Sequence, residues 1–106
     1  MLEFKKITFL NEADETGASD AVTNEQGGSL TVQVSGTFTA TIKAQGQLGG
    51  VWNDLGVVNL SSLEPAESIE AAGLYAIAGV EGCEALRLNV TSYTSGEITA
   101  TGRLVY

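Results

Sequence analysis

The chain declares itself most clearly between Leu30 and Gln45. Even positions there are Leu30, Val32, Val34, Gly36, Phe38, Ala40, Ile42 and Ala44; odd positions are Thr31, Gln33, Ser35, Thr37, Thr39, Thr41, Lys43 and Gln45. Apolar groups at every second residue would scatter around a helix, which turns about 100° per residue, but they share one face of a strand. Sixteen extended residues would reach about 53 Å, more than twice a usual strand, so the chain must change direction near Ser35-Gly36. A two-residue hairpin would set Val34 and Thr37 on one face and break the alternation. A bend at Gly36 keeps it and is the favoured reading, with a three-residue loop Ser35-Gly36-Thr37 as the alternative.

Similar signals follow. Gly-rich residues 45–50 lead into an extended stretch over 51–60, and together they predict a hairpin. Residues 74–78 are strand-like, 79–82 form a turn, and 85–91 alternate again with Leu86, Leu88 and Val90 inward. Tyr93-Thr94-Ser95-Gly96 reads as a turn into 97–106, where Ile98, Ala100, Leu104 and Tyr106 keep the even phase, so the last two segments are expected to form a hairpin. Between 61 and 73 the pattern fades. Pro65 marks a connection, and 66–72 stays open between a short helix ended by Gly73 and a strand centred on Ile69, with the strand preferred. Residues 3–10 read as a strand, whereas Asn11 to Asp20 is acidic and turn-rich with little to bury. Residues 1–28 are thus expected as an N-terminal strand and acidic arm or loop, and 29–106 as the core of the same single domain. Strands punctuated by Gly turns, without longer repeats, predict an all-β fold: one antiparallel β-sandwich, jelly-roll or immunoglobulin-like.

Composition narrows the function. At 106 residues and 43% apolar content, the chain suits one folded domain, not a disordered tail. Its apolar runs fall far short of the ~20 residues of a membrane span. Thirteen acidic side chains against five basic ones give a net charge of -8, which opposes nucleic acid and anionic lipid as partners. With no His and the single Cys83, Ser-His-Asp triads, His-ligated zinc, four-thiolate clusters and internal disulfides are excluded. The glycines at 46–50 match no dinucleotide or phosphate-loop pattern. No enzyme activity, cofactor or metal is expected, and Cys83 reads as a small buried hydrophobe. The first six residues carry no signal-peptide pattern, so synthesis in the cytoplasm is expected.

Four stretches carry a resemblance. They are Val32-x-Val34-Ser35-Gly36-Thr37-Phe38-x-Ala40-Thr41-Ile42; Gly50-x-Trp52-x-x-Leu55; Gly73-Leu74-Tyr75-x-Ile77; and Leu86-Arg87-Leu88-x-Val90-Thr91-Ser92-Tyr93-Thr94-Ser95-Gly96 with Ile98-Thr99. Over about 29–104 the chain resembles small β-sandwich virion proteins of tailed bacteriophages and prophages. The pattern is one of strands and turns more than a chemical motif. The resemblance implies a non-enzymatic virion component made in the bacterial cytoplasm: a capsid auxiliary or decoration protein, a head-fibre base, or a tail or baseplate module.

Candidate contact residues are Trp52, Tyr75, Arg87, Tyr93 and Tyr106. The aromatic rings would suit a sugar-stacking platform, but core or subunit contacts weigh more. Trp52 reads as a structural anchor beside the Gly hairpin, and Tyr93 as the most exposed ring, at a turn tip. Arg87, on the polar face of its strand, is expected to pair with a sheet neighbour or another subunit. Asn11, Glu12, Asp14, Glu15 and Asp20 offer oxygen ligands for calcium, yet their spacing fits no calcium loop, and a solvated acidic loop is preferred. Glu64, Glu67 and Glu70 share a face only if helical, so no carboxylate pair is expected to catalyse. The sequons at Asn59 and Asn89 are discounted. Docking on other virion proteins is therefore the favoured role, the major capsid protein foremost. Self-association, as a trimer by analogy, is also expected, with contacts from an arm whose first 25 residues could be removed without unfolding the rest. The competing role is a host-surface glycan module on a tail, baseplate or head fibre.

Overall fold

Residues whose apolar groups alternate with polar ones become strands, and their apolar faces meet. A computed structural model of the chain describes residues 3–106; Met1 and Leu2, where the expected N-terminal segment begins, lie outside the described residues. In chain order the strands are β1 (Phe4–Ala13), β2 (Gly17–Ala18), β3 (Val22–Thr23), β4 (Ser29–Ser35), β5 (Phe38–Leu48), β6 (Val51–Leu55), β7 (Val57–Asn59), β8 (Glu64–Ala66), β9 (Gly73–Ile77), β10 (Ala85–Gly96) and β11 (Ile98–Val105). A 3-10 turn, Val80–Gly82, joins β9 to β10. One sheet has the order β1-β11-β4-β9-β7-β8 and the other β2-β10-β5-β6, with β3 also on β10. The strand pairs are antiparallel. The fold is the all-β antiparallel sandwich that the alternation predicts.

The core is built from the even-phase residues. Val32 and Val34 of β4, Ile42 and Ala44 of β5, Leu86, Leu88 and Val90 of β10, and Ile98 and Ala100 of β11 are all buried. Residues with β-branched side chains dominate this list because they pack well on a pleated, half-buried surface. Gly49 and Gly50, at φ 62° and 80°, form the two-residue link of the β5–β6 hairpin, where both central residues must be left-handed.

The change of direction at Gly36 is a passage between layers. β4 lies in the six-stranded sheet and β5 in the five-stranded one, so the alternation continues across the bend with the same side facing the interior. The same thing happens at Gly96-Glu97, and this corrects the hairpin expected of the last two segments. β10 and β11 sit in different sheets; β10 continues through Tyr93, Thr94 and Ser95 to Gly96, and β11 then joins the other layer. The two passages lie against one another, with the Glu97 N–H donating to the Thr37 carbonyl at 3.2 Å. Gly36 (φ 109°) and Gly96 (φ 94°) hold conformations that L side chains rarely adopt. A Cβ on Gly36 would run into the Glu97 carbonyl oxygen, and one on Gly96 into the Thr37 carbonyl oxygen.

The first 28 residues are bound into both layers. β1 pairs with β11, burying Ile7, Phe9 and Leu10, and the chain then crosses to place β2 and β3 against β10. The acidic residues between are exposed, as a turn-rich polar stretch should be, but the segment is no detachable arm. Removing residues 1–25 would take three large side chains out of the core. Residues 66–72 are not helical. After β8, Ile69 makes two backbone hydrogen bonds with Ile42, at 2.9 and 2.8 Å, and its fully buried side chain closes the core beyond the end of β6. Alanine at Gly36 or at Gly96 is expected to cost about 3 kcal/mol or more, from backbone strain plus collision. Alanine at Gly49, which has open space around it, should cost only about 1–2 kcal/mol. Urea denaturation of the three variants checks the ranking.

Candidate functional site

Among the sequence candidates, Trp52 and Arg87 come together. β10, β5 and β6 set Arg87 opposite Gln45, and Gln45 opposite Asp54, on the outward face of the five-stranded sheet. Arg87 Nε donates to Gln45 Oε1 at 2.8 Å, and Gln45 Nε2 donates to Asp54 Oδ1 at 2.8 Å. The Arg87 guanidinium lies over the Trp52 ring, 4.1 Å from its centroid, a contact worth about 0.5–1 kcal/mol at exposed sites. Arg87 thus meets a sheet neighbour, as its polar-face position suggests, but through an amide that relays it to the Asp54 carboxylate. One face of the indole is already covered.

The tyrosines lie elsewhere. Tyr75 on β9 is buried, and its hydroxyl donates to the Ala71 carbonyl at 2.9 Å; burial pushes its phenol above the ordinary value of 10.0. Tyr93 is half-buried against the core, and its hydroxyl donates to the Gly96 carbonyl at 2.6 Å. It sits within β10 near the interlayer passage, because β10 runs on where a turn is expected from sequence. Tyr106 also packs against the core. Trp52 pairs with Gln47 and Tyr93 with Ala40, seven positions apart on β5 or roughly 23 Å at strand rise. The aromatic residues are therefore not gathered into one sugar platform.

The acidic candidates are spread out too. Glu64 lies in β8 and Glu67 and Glu70 in the bent connection after it, so their three-residue spacing does not gather them on a helical face. Glu12, Asp14, Glu15 and Asp20 are exposed, and among the described residues no group of three or more acidic or Cys side chains is placed to hold a metal ion. Cys83 is half-buried beside the core, with its thiol 3.6 Å from the Gly79 carbonyl oxygen.

Two features are invisible in a linear reading. Asn24 is a buried polar residue. Its Nδ2 donates to the Gly28 carbonyl at 3.2 Å and the Val80 carbonyl at 2.8 Å, and its Oδ1 accepts from the Gly28 N–H at 2.9 Å. The side chain fastens the 24–28 turn to the 3-10 turn. Its only sequence signal is an Asn three residues before Gly27-Gly28, a common loop composition. The second feature is the outward face of the six-stranded sheet. Register places Lys6, Arg103, Thr31, Ala76, Val58 and Pro65 in one row across all six strands. Beside this row Phe4 is 63% exposed and stacks with Arg103 at 4.3 Å, and Leu74 is 37% exposed. Phe4, Lys6, Gln33, Leu74, Arg103 and Val105 border a shallow groove of about 640 Å³. Like charges directly opposite, as Lys6 and Arg103 are, weaken a sheet slightly, so the stability of the fold does not account for the pair.

This sandwich recurs in two prophage proteins of known structure. The SPBc2 prophage-derived protein YomS superposes with a TM-score of 0.87 at 22% identity, over 100% of this chain and 96% of YomS. The PBSX exported protein XepA superposes with a TM-score of 0.91 at 19% identity, over 99% of this chain. The chain spans only 38% of XepA. At such identities the likeness establishes the fold. No protein-family model and no curated protein matches the sequence.

Replacing Asn24 by Ala should cost about 2–3 kcal/mol, because the Gly28 N–H and the Val80 carbonyl lose their buried partner; thermal and urea unfolding measure this. For Tyr75 the folded chain keeps its proton where the unfolded chain has released it, so stability falls as pH rises above about 10. Tyr75→Phe should lose less stability than the parent over that alkaline range, as followed by denaturation at stepped pH.

Proposed function

We propose that the chain is a non-enzymatic structural module of a phage particle, acting by docking on other particle proteins. The observation that carries this reading is the match over essentially the whole chain to two prophage-derived proteins. In XepA the matched fold occupies 38% of a longer polypeptide, whereas in YomS it is 96% of the chain, so the fold occurs both alone and joined to other parts. The surface supports the same reading: each sheet turns one face outward, and the groove on the six-stranded face is shallow and bordered by Phe4, Leu74 and Val105 with two cations. Such a face suits contact with a protein surface more than enclosure of a small molecule.

Within this reading the chain is a capsid auxiliary or decoration protein whose main partner is the major capsid protein, and its destination is the virion. The separation of Trp52 from Tyr93, and the Arg87 cap on the indole, favour docking over glycan stacking. The test is direct. Particles from a lysogen encoding the chain are purified on a density gradient and assayed by quantitative mass spectrometry. The chain is expected in the particle band at a fixed ratio to the capsid protein. Finding it only in the soluble fraction would overturn the proposal.

A further inference from the structure

We propose that the outward face of the six-stranded sheet binds the acidic 12–20 segment of a second copy of the chain, giving head-to-tail self-association. This deepens the docking reading and rests on it, but names the surface and its occupant. Charge selects them. The face holds Lys6 and Arg103, two of only five cations in a chain of net charge -8. Among the described residues no carboxylate points outward in its rows: Thr8, Thr101, Gln33 and Leu74 flank the Lys6–Arg103 row on one side, and Phe4, Val105 and Ser29 on the other. Segment 12–20 is its complement. Glu12, Asp14, Glu15 and Asp20 are all exposed there, and the segment holds no Lys or Arg.

Geometry makes the contact intermolecular. Asp14 lies just beyond the far end of β1, eight positions from Lys6, a separation on the order of 25 Å at strand rise. Beyond Ala13 the chain is tied through Gly17 and Ala18 to β10 of the other layer, so Asp14, Glu15 and Asp20 do not reach the Lys6–Arg103 face of their own molecule. Two copies joined face to face would oppose Lys6 and Arg103 to the same cations. Joined head to tail they satisfy both, and such heterologous contacts extend into rings or filaments. The contact is small and relies on charge. One outward row crosses all six strands and its neighbours cross four and three, which at about 4.8 Å between strands and about 6.7 Å between rows covers roughly 400 Å², about half of the ~800 Å² of accessible surface per partner in standard interfaces. Phe4, Leu74 and Val105 supply the apolar part.

Sedimentation velocity on the full chain provides the test. At low ionic strength the parent should form species larger than a monomer that dissociate as salt is raised, since exposed charge pairs are screened. Lys6→Glu with Arg103→Glu, and separately Asp14→Lys with Glu15→Lys, should each weaken association on the order of tenfold or more through like-charge contact. All four positions are exposed, and matching melting curves establish that the variants fold. An equimolar mixture of the two double variants should associate again, because the reversed face of one meets the reversed segment of the other. A parent that stays monomeric up to high micromolar concentration overturns the proposal, as does a mixture that stays monomeric or a double variant that associates like the parent. A monomeric chain found at fixed ratio in purified particles would overturn self-association alone and leave the docking role standing.

Discussion

The fold depends on one long strand that bends from one sheet into the other with a neighbour on each side. β10 and β11 form it; β4 and β5 run along one flank, β1 with β2 along the other. Every backbone N–H and carbonyl in an interior strand needs a partner, so when the central strand changes layer its neighbours must change layer beside it. Three passages are thus stacked at one end of the sandwich, and their backbones approach too closely for side chains. Gly36 and Gly96 meet that demand through absent Cβ atoms as well as positive φ, whereas Gly17, with open space around it, supplies only its φ of 143°.

The bend also decides what is left for the surface. Since each strand keeps its phase through the passage, apolar even positions go inside in both layers, and most aromatic groups go with them. Tyr75, Tyr93 and Tyr106 serve the core or its margin, leaving Trp52 under Arg87 on one outer face and Phe4 beside Arg103 on the other. The two faces differ in chemistry. On the five-stranded one Arg87 and Lys43 are engaged by hydrogen bonds to Gln45 and the Glu67 carbonyl, with Asp54 beside them, whereas on the six-stranded one Lys6 and Arg103 stand among apolar and hydroxyl side chains with no carboxylate in their row.

How far the sequence alone reveals this follows from the range of each interaction. The alternation from Leu30 to Gln45 and the Gly49-Gly50 link are local, so strand, bend and hairpin are legible there. The β10–β11 passage looks like a hairpin in the sequence because both connections keep Gly near a break in strand character; only pairing with β5 and β4 separates them. The acidic stretch after β1 looks like an arm because β2 and β3 are two residues each, too short for any periodicity. Asn24 and the Lys6–Arg103 row are set by partners 56 and 97 positions away in the chain, and no local pattern encodes a register between such distant segments.

The bent central strand has a consequence for how the molecule assembles. β4 and β5 are interior elements, yet the strand that joins them on one side does not begin until Ala85. Neither layer can close while the chain is only partly synthesised, and the β-rich middle emerges with open hydrogen-bonding edges and an uncovered apolar side. Contacts of such long sequence separation make folding slow compared with helical proteins of this size. The interval before β10 and β11 arrive is when the nascent chain is most exposed to misassembly with its neighbours.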